Sequence, residues 1–414
     1  MSEPPKAGIR PNLKRTAGSS VLLGAMFLMA TSAIGPGFIT QTTNFTAQLG
    51  ATFAFAIMVS VLVDIAVQLN IWRVVGVAGT RAQDLANKVL PGAGYLLAAL
   101  IVFGGLVFNV GNIAGTGLGL DALAGIDVKI GGAVSAAIAI ALFMVKRAGV
   151  AMDRIMVVLG VLMIAMTLYV AFASSPPVGE ALRQAVWPDE LGTDLFLATV
   201  TIIGGTVGGY ITYAGAHRLV DAGVSGPANV KEITRASVTG IIVTGVMRVL
   251  LFLAVLGVVA GGVSILDSPN PPAEAFSQAA GEVGLRLFGV ILWAAGISSV
   301  IGASYTSISF VATFSPRLER NRGWLVAAFI SISAVIYLLL DQTPTTLLVL
   351  AGALNGLILP VGLGIMLWVA LRRSRDLLHG YQYPKWLLVV GVVAWLLTIF
   401  IAYQALGGIS SLWS

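Results

Sequence analysis

Asp64 and Arg248 are charged residues in places where charge is costly. Asp64 stands in "FAIMVSVLVDIAVQLNIW", with Gln68 one helical turn on, and Arg248 stands in "IIVTGVMRVLLFLAVLG". An ionisable side chain inside a long apolar run marks a proton relay, an ion path or a counter-ion. Asp64 is therefore a candidate for proton coupling and Arg248 a candidate counter-ion for an anionic substrate. A mutual structural salt bridge, or snorkelling toward an interface, is the alternative. Two uncharged stretches raise the complementary question, "SAIGPGFITQ" at 32–41 and "TIIGGTVGGYITYAG" at 201–215. Pro36 removes a backbone hydrogen bond and the glycines weaken the helix further. In lipid an unpaired backbone group costs several kcal/mol, so such a break survives only where protein, water or a ligand satisfies it.

A helix break has a definite chemistry. The half-helix that follows begins with N–H groups lacking intrahelical partners, and the positive end of its dipole faces the break. Glycines leave that end uncovered, and the result is an anion cup. The expected contacts are the backbone at Gly35, Gly37, Gly205, Gly208 and Gly209, walls from Phe38 and Tyr210, and hydrogen bonds from Thr40, Gln41 or Thr206. A branched side chain at Gly37 or Gly208 is expected to fill the cup with little effect on folding. The competing reading is that the glycines serve close helix packing, as many of the 49 glycines must.

The elements that carry these residues follow from composition. The 414 residues are 57% hydrophobic and 10% charged, whereas soluble domains carry roughly 25% charged residues. This is the composition of an all-α polytopic membrane protein. Eleven apolar segments are long enough to span, at about 20–48, 51–78, 94–120, 128–146, 151–174, 194–221, 236–262, 284–314, 323–341, 345–371 and 384–407. With the N-terminus inside and the segments alternating, all of the 24 basic residues except Lys129, Arg183, Arg248 and Arg286 fall at cytoplasmic ends. That is the bias of the positive-inside rule. It gives a multi-pass protein of the cell (inner) membrane with its C-terminus outside, and the lipid bilayer as its surrounding partner. The basic tail 1–19 reads as a topogenic anchor rather than a signal peptide.

The broken sixth segment comes five helices after the broken first one and enters from the opposite side. Two such units of opposite topology imply an inverted-repeat transporter with its site at the midplane. The organisation is then a tail (1–19), a first repeat (20–174), an extracellular loop (175–193), a second repeat (194–371), and an eleventh helix with the C-terminus (372–414). "TRAQDLANKVL" is expected to lie along the cytoplasmic face, and His217 and Arg218 to mark the cytoplasmic end of the sixth segment. No cysteine and only two histidines are present, so no thiolate metal site or nucleophile constellation can be assembled, and no enzyme or cofactor is expected. There is no GxxxxGK[ST] loop for a nucleotide-driven pump. The net charge of +6 sits at membrane ends and does not point to nucleic acid.

"LLGAMFLMATSAIGPGF", "QLGATFAFAIMVSVLVDIAVQLNIWRVVGVAGTRAQDLA", "GGTVGGYITY", "GISSVIGASYTSI" and "LVLAGALNGLILP" resemble Nramp-type transporters, a branch of the LeuT-fold superfamily, over nearly the whole chain. The resemblance implies a LeuT-like 5+5 inverted repeat plus an eleventh transmembrane helix. It also exposes what this chain lacks. Where the family has Asp-Pro-Gly-Asn, this sequence reads Gly35, Pro36, Gly37, Phe38. Where it has Ala-x-x-Met-Pro-His, this sequence has Gly205, Gly208, Gly209 and Tyr210. The family's acidic pair in the third helix aligns with Asn109 and Asn112, and its glutamine in the tenth with Gly352. A dehydrated Mn²⁺ or Fe²⁺ needs anionic or strongly donating ligands, which these substitutions remove.

The glycine-rich breaks are more similar to those of LeuT-fold amino-acid transporters. By the same resemblance, Ser298, Ser299, Ser304, Thr306 and Ser307 stand where sodium is held in symporters. Permeases with a similar "ATSAIGPGF" signature are encoded beside 5-oxoprolinase subunits. The expectation is therefore a secondary transporter importing a small organic anion, an amino-acid-like carboxylate such as 5-oxoproline, with H⁺ or Na⁺ as coupling ion. The alternatives are a divalent-cation transporter (Mg²⁺, Mn²⁺ or Fe²⁺) and a non-transporting receptor paralogue.

Overall fold

The computed structural model describes residues 33–145 and 148–411. The tail 1–19, the first half of the first apolar segment, Lys146 and Arg147 lie outside the described residues. The rest is helical, and each remaining apolar segment is a helix. In chain order they are α1 (Pro36–Leu49), α2 (Phe53–Ala78), α3 (Ala82–Val89), α4 (Ala93–Ala124), α5 (Val128–Met144), α6 (Ala148–Ser174), α7 (Val178–Val186), α8 (Thr193–Gly204), α9 (Ile211–Asp221), α10 (Val230–Ala260), α11 (Pro271–Ala312), α12 (Pro316–Arg320), α13 (Arg322–Leu339), α14 (Pro344–Arg372), α15 (Ser374–Leu377) and α16 (Lys385–Ser411).

Among the described residues seven spans are long and apolar enough to cross a membrane as they stand, with Pro36–Ala78 counted as one. The other expected segments differ for local reasons. Val128–Met144 and Thr193–Gly204 are apolar but short, and α6 turns by 107° into α7. The loop expected at 175–193 thus contains a helix, whose Ala181 and Gln184 are buried. The eighth segment begins earlier than expected. Helix α11 starts at Pro271, capped by the Asn270 side chain, and bends at Gly281, whose φ of 61° suits a residue without Cβ. The "TRAQDLANKVL" piece is α3, which buries Ala82, Gln83, Leu85 and Ala86 against the bundle.

Close backbone approach holds the long helices together. A Cβ at Gly119 of α4 would press on the Trp293 backbone of α11, and one at Gly289 of α11 on Leu123 of α4. Between α8 and α14 the contact is tighter still, with Gly204 against Gly352 and Gly356, and Gly356 against Val200. Small residues serve this purpose in membranes, where dispersion and complementary shape replace the hydrophobic drive between helices.

The charged groups separate by end. At one end Arg81 pairs with Asp221 at 2.7 Å, and Arg322 reaches Asp221 at 3.6 Å and Glu319 at 3.4 Å. Arg373 donates to the Lys88 carbonyl at that end. Arg286 on the Leu123 carbonyl, Lys129 beside Asp341, and Arg183 between Glu180 and Asp189 lie elsewhere.

Candidate functional site

Both breaks exist, and they differ in form. Residues 34–35 leave the helix, and α1 starts at Pro36 itself. The unwinding is shorter than the sequence suggests because proline at the first helical position arrives with a helical φ and lacks only a hydrogen that would be unpaired anyway. The Gly37 and Phe38 N–H groups follow directly and have no backbone partner among the described residues, whereas Ile39 already donates to Gly35. In the second break α8 ends at Gly204 and α9 begins at Ile211. Here the N–H groups of Gly205, Thr206, Val207 and Gly208 are taken by carbonyls of Thr201 and Ile203. Those of Gly209, Tyr210 and Thr212 have no backbone partner.

The candidate residues fall into three groups. In the first, Ser299 packs on Gly35, where a Cβ would collide with its hydroxyl, and Asn112 lies just beyond. The Tyr210 ring stands edge-on to Phe108 at 5.7 Å. The buried Tyr210 hydroxyl faces the Asn112 amide, and neither group has another hydrogen-bond partner among the described residues. In the second group, Gln41 donates to the Leu348 carbonyl at 2.8 Å and fills the space left by Gly205 and Gly352. Asn355 occupies the hollow at Gly209, whose φ is 50°, and donates to Gly104 and Ala351 carbonyls. So Gly205, Gly208 and Gly209 lie against protein. A valine at Gly208 would strike Gly204 and Asn355, and one at Gly37 would crowd the Phe108 ring at 3.2 Å. The expectation that such changes spare folding does not hold for Gly208.

The third group contains the two buried charges. Asp64 on α2 and Arg248 on α10 are each 2% exposed. Arg248 donates from Nη1 to the Ile202 carbonyl at 3.1 Å, near the negative end of the α8 dipole. Its guanidinium lies 4.2 Å over the Phe38 ring. Its Nε and Nη2 have no hydrogen-bond partner among the described residues. These two nitrogens form one edge of the guanidinium fork, the geometry that receives a carboxylate through two parallel hydrogen bonds. Phe38 of the first break and Thr206 of the second close with Asp64, Thr244 and Arg248 around one tight crevice, shut to a water molecule in this conformation.

Asn109 and Ser298 stand apart from these groups. Asn109 bridges Ser304 of α11 and Ser333 of α13, and Ser298 bonds the Ala295 carbonyl. Thr306 and Ser307 are buried with unpaired hydroxyls. His217 is buried at the charged end, where its Nδ1 meets Ser309 and its Nε2 accepts from the Ala82 N–H. Two contributors were not singled out from the sequence. Ser60, one turn before Asp64, joins Asp64 to Arg248. Asn355 is an isolated amide in an apolar run, and that isolation was its signal. Among the described residues no three His, Cys, Asp or Glu side chains come together as a metal cage.

Residues 26–407 match the natural resistance-associated macrophage protein-like (Nramp) family. The chain belongs to the Nramp family. It is a multi-pass membrane transporter of that family with a LeuT-type fold. Its relatives include the "Uncharacterized membrane protein YcsG" of Bacillus subtilis, 49% identical over 97% of this chain and 99% of the relative. An "Uncharacterized membrane protein" of Haemophilus influenzae is 50% identical over 92% and 94%. The Eremococcus coleocola manganese transporter (mutant H236A) superimposes with a TM-score of 0.73 at 17% identity, covering 98% of this chain and 89% of that one. MhsT in complex with L-phenylalanine gives 0.69 at 17% identity, covering 92% and 98%. At such identities the two structures speak for the fold alone.

Proposed function

We propose that this Nramp-family protein is a secondary transporter for a small organic anion, bound between the α1 and α8–α9 breaks and released by alternating access. The observation that carries the reading is the free Nε–Nη2 edge of Arg248, buried beside Phe38 and Thr206. A buried cation with two unused donors is a costly arrangement, and an incoming carboxylate satisfies both at once. The N–H groups of Gly37 and Phe38, which have no backbone partner among the described residues, add a second attraction for negative charge at the positive end of α1. A divalent cation placed in the same crevice would face that guanidinium with Asp64 as its single anionic ligand.

MhsT, of the same fold, forms a complex with L-phenylalanine, which agrees in kind with an amino-acid-like carboxylate; 5-oxoproline is the specific candidate. The coupling ion is H⁺ or Na⁺, and the protein resides in the cell membrane with its N-terminus inside. A thermal-shift panel on the purified protein tests the reading. Small carboxylates should raise the midpoint, and Mg²⁺, Mn²⁺ and Fe²⁺ should not. Stabilisation by a divalent metal with none by carboxylates would replace this proposal with metal transport.

A further inference from the structure

We propose that Asp64 and Arg248 form a proton-linked switch, in which a bound carboxylate and Asp64 compete for one guanidinium and each anion therefore enters with one proton. The inference rests on the carboxylate reading above and adds the coupling step to it.

The geometry is that of a pair held ready but not closed. Ser60 donates to Asp64 Oδ2 at 3.1 Å, and Arg248 Nη1 reaches Ser60 Oγ at 3.5 Å. The carboxylate and the guanidinium meet through this hydroxyl and form no direct ion pair. Asp64 Oδ1 remains without a partner, as do Arg248 Nε and Nη2. One free acceptor and one free donor edge thus line the same crevice. A purely structural salt bridge would be expected to use them on each other.

The surroundings leave no third charge to share the task. Among the described residues the charge that acts on Asp64 is Arg248, and the charge that acts on Arg248 is Asp64. The facing groups do not titrate: Phe38 on α1, the Ile202 carbonyl on α8, Thr206 in the break, and Val61 and Thr244 on α2 and α10. With the site empty and Asp64 ionised, one carboxylate balances one guanidinium. A second carboxylate on Arg248 would leave an uncompensated negative charge in a dry interior, which costs several kcal/mol. A proton taken up on Asp64 restores neutrality, and Ser60 can turn its hydroxyl to accept from the neutral acid. Releasing the anion on the far side lets Arg248 reclaim Asp64, which then gives up its proton.

Linkage makes this measurable. Where Asp64 is ionised in the free protein, anion affinity should fall about tenfold for each unit rise in pH. Calorimetric titration of the purified transporter with acetate, L-lactate, L-proline and L-5-oxoproline, in two buffers of different ionisation heat, counts the protons taken up. The wild type should take up about one proton per anion bound. Asp64→Asn should take up none, lose the pH dependence and bind at least as tightly at high pH. Asp64→Glu, which keeps the carboxyl, should retain the uptake and guards against a folding defect in the amide. Binding by the wild type without proton uptake, or uptake that persists in Asp64→Asn, would overturn the switch and leave the carboxylate reading standing. No binding of any of these acids to the wild type would instead remove the carboxylate reading, and the switch with it.

Discussion

Arg248 has three kinds of partner already, a helix-end carbonyl, an aromatic face and a serine hydroxyl, and still keeps one edge free. Replacing it with lysine keeps the charge but substitutes a point donor for a planar fork. Arg248→Lys should therefore fold and bind carboxylates at least about tenfold more weakly, by loss of about one charge-assisted hydrogen bond worth 1.5–3 kcal/mol. Calorimetry reads this directly, and unchanged affinity would place the anion elsewhere. Asp64 and Arg248 were legible in the sequence because a charge in an apolar run has few explanations. The glycines were not, because a glycine that clears room for a ligand and one that clears room for Asn355 have the same letter. Gly209 is the second kind, with φ at 50° and the Asn355 amide in its hollow. Gly209→Ala should lower thermal stability in detergent by about 1–2 kcal/mol or more, and an unshifted midpoint would show that the hollow can open.

Helices respond to sequence over longer windows, and here the reading was more complete. Every apolar segment within the described residues is helical, the sixth in two pieces about its break, because twenty apolar residues in a row have little alternative in lipid. The departures are ends and joints. Pro36 restarts its helix at once instead of prolonging the break, and Gly281 bends α11 upstream of the expected start. The packing between α8 and α14 could not be read from either segment alone, since it depends on which glycines face each other. Gly356→Leu would drive a side chain into the Val200 backbone, and overpacking of this sort costs about 1–3 kcal/mol. The variant should melt earlier and lose transport, since it displaces the segment that holds the second break. A variant with normal melting and transport would mean that α8 slides freely on α14.

The molecule as a whole gathers Arg81, Asp221, Glu319, Arg322 and Arg373 at one end. On the proposed topology, with the N-terminus inside, that end faces the cytoplasm. The chain has no cysteine, so single cysteines can be introduced into the otherwise native protein. A cysteine at Ser374 should react with an impermeant maleimide only after cells are opened, and one at Glu190 in intact cells; the reverse pattern would invert the topology.

Whether the breaks and Arg248 read negative charge is decided by uptake into proteoliposomes of one labelled carboxylate and of its amide. L-5-oxoproline and its carboxamide differ by little beyond that charge. Hydrogen bonds to a charged group contribute 1.5–3 kcal/mol against 0.5–1.5 for neutral ones. The acid should therefore be taken up with at least about tenfold higher apparent affinity than the amide, and Arg248→Gln should erase the difference. Equal uptake of acid and amide by the wild type would contradict the account and return the glycine breaks to helix packing.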